Sequence, residues 1–180
     1  MGLFDRLKRR FAGRETAASE PEEALEAAEE APEPTQEAPE VSSEEEALIG
    51  RVTRLRVTGQ ETLEQSFLTM RIYTFAAPFD RKDMTDLMEA LRFLGFRLYA
   101  LGIEVSGRDG ELPCEGLTGF LRAVHETEAD IDGCTASGSY AGGRFSCHIA
   151  RAGRMQFSYD TLRPISLEAF EELFAPEEEP

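Results

Sequence analysis

The chain has 180 residues, enough for one domain of ordinary size with extensions, and its formal charge is −16. Three cysteines, Cys114, Cys134 and Cys147, are too few and too odd in number for a disulfide framework, and they suit a reducing cytoplasm. No apolar run approaches the ~20 residues of a membrane-spanning helix, and the basic stretch from Arg6 to Arg10 is not followed by the apolar core of a secretory signal.

The charge is unevenly spread. Residues 1–14 hold five basic side chains against Asp5 alone, and residues 15–46 hold thirteen glutamates and no base. Residues 47–176 are close to balanced, with 18 acids and 14 bases. The acidity therefore marks the extensions and says little about what a folded domain would bind.

The opening MGLFDRLKRRF, wound as a helix, gathers Leu3, Phe4, Leu7 and Phe11 on one stripe. Lys8 and Arg10 flank that stripe, where their stems can lie on lipid while their charges reach phosphates, and Arg9 with Arg6 faces away. Gly13 offers a stop. This is the pattern of a short helix in a membrane interface. Burying two Leu and two Phe returns roughly 6–12 kcal/mol at most, and ordering the helix costs about as much. Each basic side chain adds about 1 kcal/mol on an anionic leaflet, so binding should be reversible and dependent on acidic lipid. A helix docking in a protein groove is the competing reading of the same stripe.

Followed by its Glu/Ala/Pro-rich run, this peptide resembles the N-terminal region of the bacterial signal recognition particle receptor. It is also similar to the amphipathic targeting segments of several bacterial cell-division proteins. The resemblance covers the first 46 or so residues and implies membrane targeting through Leu3, Phe4, Leu7 and Phe11 with their basic neighbours. It does not extend to the receptor's GTPase, since no G-x-x-x-x-G-K-[ST] occurs.

Prolines 21, 32, 34 and 39 interrupt residues 15–46, and Leu25 is the one large apolar side chain in the EEALEAAEEA stretch. A disordered acidic linker is expected, with ends ~30 Å apart on average. It should space a domain from the membrane surface.

A single domain is expected over residues 47–175, before an acidic tail at 176–180. Alternation predicts strands at 51–58 and 67–75. Met84, Leu87, Met88, Leu91 and Leu94 predict a helix over 80–94, with Asp80 or Asp83 as cap and Gly95 as stop. A strand at 96–105 and a helix at 117–126 follow. Strands at 135–140, 144–151 and 155–159 are separated by AGG and AG turns. Ser166 should cap a last helix, LEAFEELF. The order ββαβαβββα implies an α+β fold, a largely antiparallel sheet with helices on one face.

If Leu55, Val57, Leu68, Met70, Ile72, Leu98, Phe145, Cys147 and Ile149 face the helices, then Arg54, Arg56, Arg71, Tyr73, Arg97, Tyr99, Arg144 and His148 face away. Such a face is either an ordinary solvated one or a candidate binding surface for a partner or an anion, the acidic linker included. Stacking and phosphate contacts there would suit single-stranded RNA. Against nucleic acid stand the slight net negative charge of 47–176 and the lack of an RNA-binding signature.

No catalytic residue is assigned. G-x-S-x-G is absent, and the glycines at 133, 138, 142, 143 and 153 fit hairpins better than phosphate loops. Cys114, His125, Cys134, Cys147 and His148 lack close C-x₂₋₄-C spacing, so neither a metal nor another cofactor is expected. Asp130-Ile-Asp132-Gly lacks the later ligands of a calcium loop.

The expected protein is a non-enzymatic adaptor or scaffold, cytoplasmic and peripheral on the inner face of the plasma membrane. Its partners would be an anionic membrane surface and a protein of unspecified kind, with self-assembly as a further option. The alternatives are an RNA- or polyanion-binding module using the Arg/Tyr face, and a small enzyme whose site a single sequence does not reveal.

Overall fold

A computed structural model of the chain describes residues 42–174. The expected targeting helix (1–14), most of the expected linker (15–46) and the acidic tail lie outside the described residues.

The described part is α+β. Helix α1 (Ser43–Thr53) leads to strands β1 (Val57–Gln65) and β2 (Leu68–Phe75), then to helix α2 (Arg81–Phe93). Strands β3 (Arg97–Val105) and β4 (Glu111–Cys114) precede helix α3 (Gly116–Glu126). The meander β5 (Ile131–Tyr140), β6 (Gly143–Ala150) and β7 (Arg154–Asp160) follows, and short α4 (Glu168–Glu171) closes with a 3₁₀ turn, Glu172–Phe174. The seven strands form one sheet in the order β1-β2-β7-β6-β5-β3-β4, and every neighbouring pair is antiparallel.

Local chemistry accounts for these elements. Asp80 caps α2 with a reciprocal pair of bonds: its side chain accepts from Asp83 N at 2.7 Å, and its own N–H donates to the Asp83 carboxylate at 3.0 Å. Leu87, Met88, Leu91 and Leu94 are buried at helical spacing. Ala141 and Gly142, both at positive φ, make the two-residue turn between β5 and β6 that matches the twist of the paired strands. The helices cover one sheet face, burying Tyr73, Phe75, Leu101, Ile103, Cys134, Phe145, Cys147, Ile149, Met155 and Phe157. Burial pushes the Cys134 and Cys147 thiols well above their ordinary range, as expected of packed, unreactive cysteine.

Three expectations are corrected. Residues 51–53 belong to α1 and not to a strand, and β1 begins only at Val57. The alternation of RVTRLRVT is real, but Leu48, Ile49 and Val52 share one buried helical stripe. The Ser42/Glu45 capping box starts that helix, with Glu45 N to Ser42 Oγ at 3.3 Å and Ser42 N to Glu45 Oε2 at 3.0 Å. Strand β4 was not expected, and it pairs Glu111 opposite Glu104 on the sheet edge. The phase of β2 is also reversed. One alternate set, Leu68, Met70 and Ile72, is apolar, but the other carries the larger rings, Tyr73 and Phe75, beside Thr69 and Arg71, and it wins the helix side. Leu68, Met70 and Ile72 therefore face away from the helices.

Candidate functional site

The reversed phase of β2 divides the expected arginine–tyrosine face. Arg71 and Tyr73 lie under α4, where Glu171 Oε1 accepts from Arg71 Nη2 at 2.7 Å and from Tyr73 OH at 2.7 Å. Gln60 Nε2, from β1, donates to the same oxygen at 3.1 Å. Tyr73 also packs edge-on to Phe157 and Phe170, whose rings meet at 5.1 Å. Burial, and then the bond to Glu171, raises the Tyr73 hydroxyl pKa well above its ordinary value. Burial opposes the charge on Arg71, yet the neighbouring Glu171 carboxylate and the Tyr73 bond leave its pKa raised. This cluster clamps α4 to the sheet.

Arg54 and Arg56 are not on the sheet either. Arg54 closes α1 and donates from Nη2 to Asp83 Oδ1 at 2.8 Å, while Arg56 lies in the turn before β1. Arg51 and Lys82 both meet Asp86, fastening α1 along α2.

Arg97, Tyr99, Arg144 and His148 do lie on the uncovered face. Tyr99 OH and Ser139 Oγ are 2.8 Å apart, and Ser139 pairs with both Arg97 and Arg144 in the ladder. The bond with Ser139, and then the arginines nearby, lower the Tyr99 hydroxyl pKa. His148 stands farther along β6, with Nε2 3.1 Å from Glu104 Oε2.

Between these groups the uncovered face is paved with small polar side chains. Ser137, Ser146 and Ser158 are consecutive partners across β5, β6 and β7, and Thr135, His148 and Gln156 form the next row. Small side chains leave room above the sheet. The result is a depression of about 440 Å³, lined among others by Ala100, Glu111, Ser137, Ser146, His148 and Gln156. The Glu111 side chain lies over Gly102, where an added Cβ would fall 1.8 Å from its Oε1. The depression carries the Glu111 carboxylate and His148 with the Ser137, Ser146 and Ser158 hydroxyls and the Gln156 amide, while Arg97 and Arg144 stand beyond it on the same face. Such a surface can hold an extended polar segment by hydrogen bonds.

Arg97, Tyr99, Arg144 and His148 were readable in the sequence as polar alternates of strands. Ser137, Ser146, Ser158, Thr135 and Gln156 carried the same signal, T-x-S-x-S, S-x-H and Q-x-S, but short hydroxyl side chains draw less notice than arginines. A wider concavity lies between α1, α2 and α3, beside Ser42, the first described residue. Among the described residues no group of His, Cys, Asp and Glu is arranged to hold a metal ion, and no helix is long and apolar enough to cross a membrane.

Compared with known proteins, the chain matches no family model, no curated protein and no solved structure.

Proposed function

We propose that this chain is a membrane-tethered adaptor: residues 1–14 hold it on anionic lipid, and its α+β domain binds a segment of a partner protein on the uncovered sheet face. One observation carries the second half of this reading. All the helices pack on one side of the sheet, and the other side keeps a depression lined by hydroxyls, an amide, a histidine and a carboxylate. Hydroxyls and an amide supply hydrogen bonds without a strong field, which suits a peptide better than a polyanion. The polyanion reading is left with Arg97, Tyr99 and Arg144, because Arg71 and Tyr73 are committed to Glu171.

The test uses the full chain. Ser146→Arg would fill the depression with a long side chain at an exposed position. A protein that co-purifies with the wild-type chain and is lost with Ser146→Arg supports the reading. Retention of every partner by that variant moves the binding surface elsewhere. Binding of single-stranded RNA that falls steeply with salt and is lost on Arg97→Ala and Arg144→Ala would favour the polyanion reading. Flotation on anionic but not neutral vesicles, abolished by Leu7→Glu with Phe11→Glu, tests the tethering half.

A further inference from the structure

The large apolar side chains left exposed among the described residues are Leu63, Phe67, Leu68, Tyr99 and Leu162. They are not scattered. Gln65 and Leu68 close the β1–β2 hairpin around Ser66 and Phe67. Thr161 N donates to Phe67 O at 2.8 Å, which brings Leu162 beside that turn. Tyr99 sits near the start of β3, and β3 begins where β5 and β7 end and where β2 and β6 begin. All five therefore lie toward one end of the sheet. The strand order puts β1 and β3 five spacings apart, so the row is about 24 Å wide.

These side chains protrude. Phe67 is 71% exposed, Leu162 73% and Tyr99 67%. Arg97, Arg144 and Arg163 are exposed at the same end, and none enters an ion pair among the described residues. Of the acids toward this end, Asp160 accepts Leu162 N–H at 2.8 Å and so helps hold that leucine outward, while Glu64 on β1 and Glu44 and Glu46 at the start of α1 are exposed.

The chain leaves the described domain at this same end. Arg54 meets Asp83 and Arg51 meets Asp86, so α1 runs antiparallel to α2. Its first residues share a groove with Glu89, Arg92 and Phe93, near the end of α2 that turns through Gly95 into Arg97. Ser42, the link to residues 1–41, is thus at the end that carries the apolar row.

We infer that this end of the sheet, with Phe67, Leu68, Leu162 and Tyr99 between Arg97, Arg144 and Arg163, is a second lipid-contact surface that seats the domain end-on against an anionic bilayer. The inference rests on the membrane tethering proposed above for residues 1–14. Separate protruding side chains along a wide row suit a planar, fluid surface, where a protein groove would want them clustered. Leucine and aromatic rings enter the interface while guanidinium groups meet lipid phosphates.

The chain contains no tryptophan, so single Phe67→Trp, Leu162→Trp and Arg108→Trp chains each carry one reporter. Arg108 is exposed in the loop after β3, at the opposite end of the sheet. With phosphatidylglycerol-rich vesicles containing brominated lipid, the first two should shift to the blue and be quenched, and Arg108→Trp should not. Phe67→Ser with Leu162→Ser should weaken vesicle binding of the full chain ~10-fold or more. If the chain floats but neither Phe67→Trp nor Leu162→Trp is quenched, the second surface is wrong and the tether stands. If the chain does not float at all, the tethering reading falls and this inference with it. A blue shift without vesicles that grows with protein concentration would assign the row to a second copy of the chain and overturn the lipid assignment.

Discussion

Glu104 on β3 reaches His148 on β6 across the whole width of β5, with Oε2 and Nε2 3.1 Å apart. The strand between them carries Gly133 at the crossing point, and the missing side chain is what lets the two groups meet. A Cβ there would lie 2.6 Å from Glu104 Oε2, 2.9 Å from Ile149 O and 3.1 Å from His148 Nε2. Gly133→Ala should therefore destabilise the domain by about 1–3 kcal/mol, since one of its neighbours is backbone that cannot swing aside. Glu104→Gln should cost far less, because both partners are partly exposed and such pairs contribute little. Denaturant unfolding of the two variants separates the effects.

Glu171 gathers three donors on one oxygen from two strands about a hundred residues earlier. Glu171→Ala should leave the Tyr73 hydroxyl buried without its acceptor and Arg71 without its counter-charge, at about 2–4 kcal/mol. Tyr73→Phe removes a donor and its need together and should cost less. The thermal midpoints of both variants, compared with the wild-type chain, check this order.

Arg81, at the first turn of α2, donates to the carbonyl oxygens of Val124, Thr127 and Ala129. It satisfies the carbonyls at the end of α3 and holds the turn into β5. Lysine cannot reproduce this spread of planar donors. Arg81→Lys should lower stability by roughly 1–2 kcal/mol and speed amide exchange over residues 124–131 with little change elsewhere. Uniform loss of protection throughout the sheet would count against a local role.

Tyr73, Cys134 and Cys147 all hold their protons more tightly in the folded chain, with burial the leading cause in each. In the unfolded chain they ionise near their ordinary values of 10 and 9. Their contribution is complete below those values and is lost as pH rises through the raised folded-state values. The melting temperature should therefore fall with increasing slope above about pH 9, and Tyr73→Phe or Cys147→Ala should flatten that slope. A wild-type profile level to about pH 11 would contradict this account.

Much of the fold was legible because local signals agreed. The buried stripe and Asp80 cap gave α2, and paired glycine-bearing turns gave the β5–β6–β7 meander. Polar alternates in β3 and β6 also placed Arg97, Tyr99, Arg144 and His148 together on the uncovered face. Helix α1 was legible in principle through the Ser42-x-x-Glu45 box, but RVTRLRVT offers a competing period of two, and burial against α2 settled the matter.

What the sequence determined by itself was thus period and punctuation: which stretches wind, which extend, where they stop, and how unevenly the charge is shared. Tertiary structure decided phase and partnership. In β2 one alternate set is apolar and the other sets Tyr73 and Phe75 beside Thr69 and Arg71, so only the room under α4 and the acceptor on Glu171 could choose the side for Arg71 and Tyr73. The Glu104–His148 contact through Gly133, and the gathering of Phe67, Tyr99 and Leu162 at one end, depend on strand order. Strand order is set by contacts between residues far apart in the chain, and no local period encodes it.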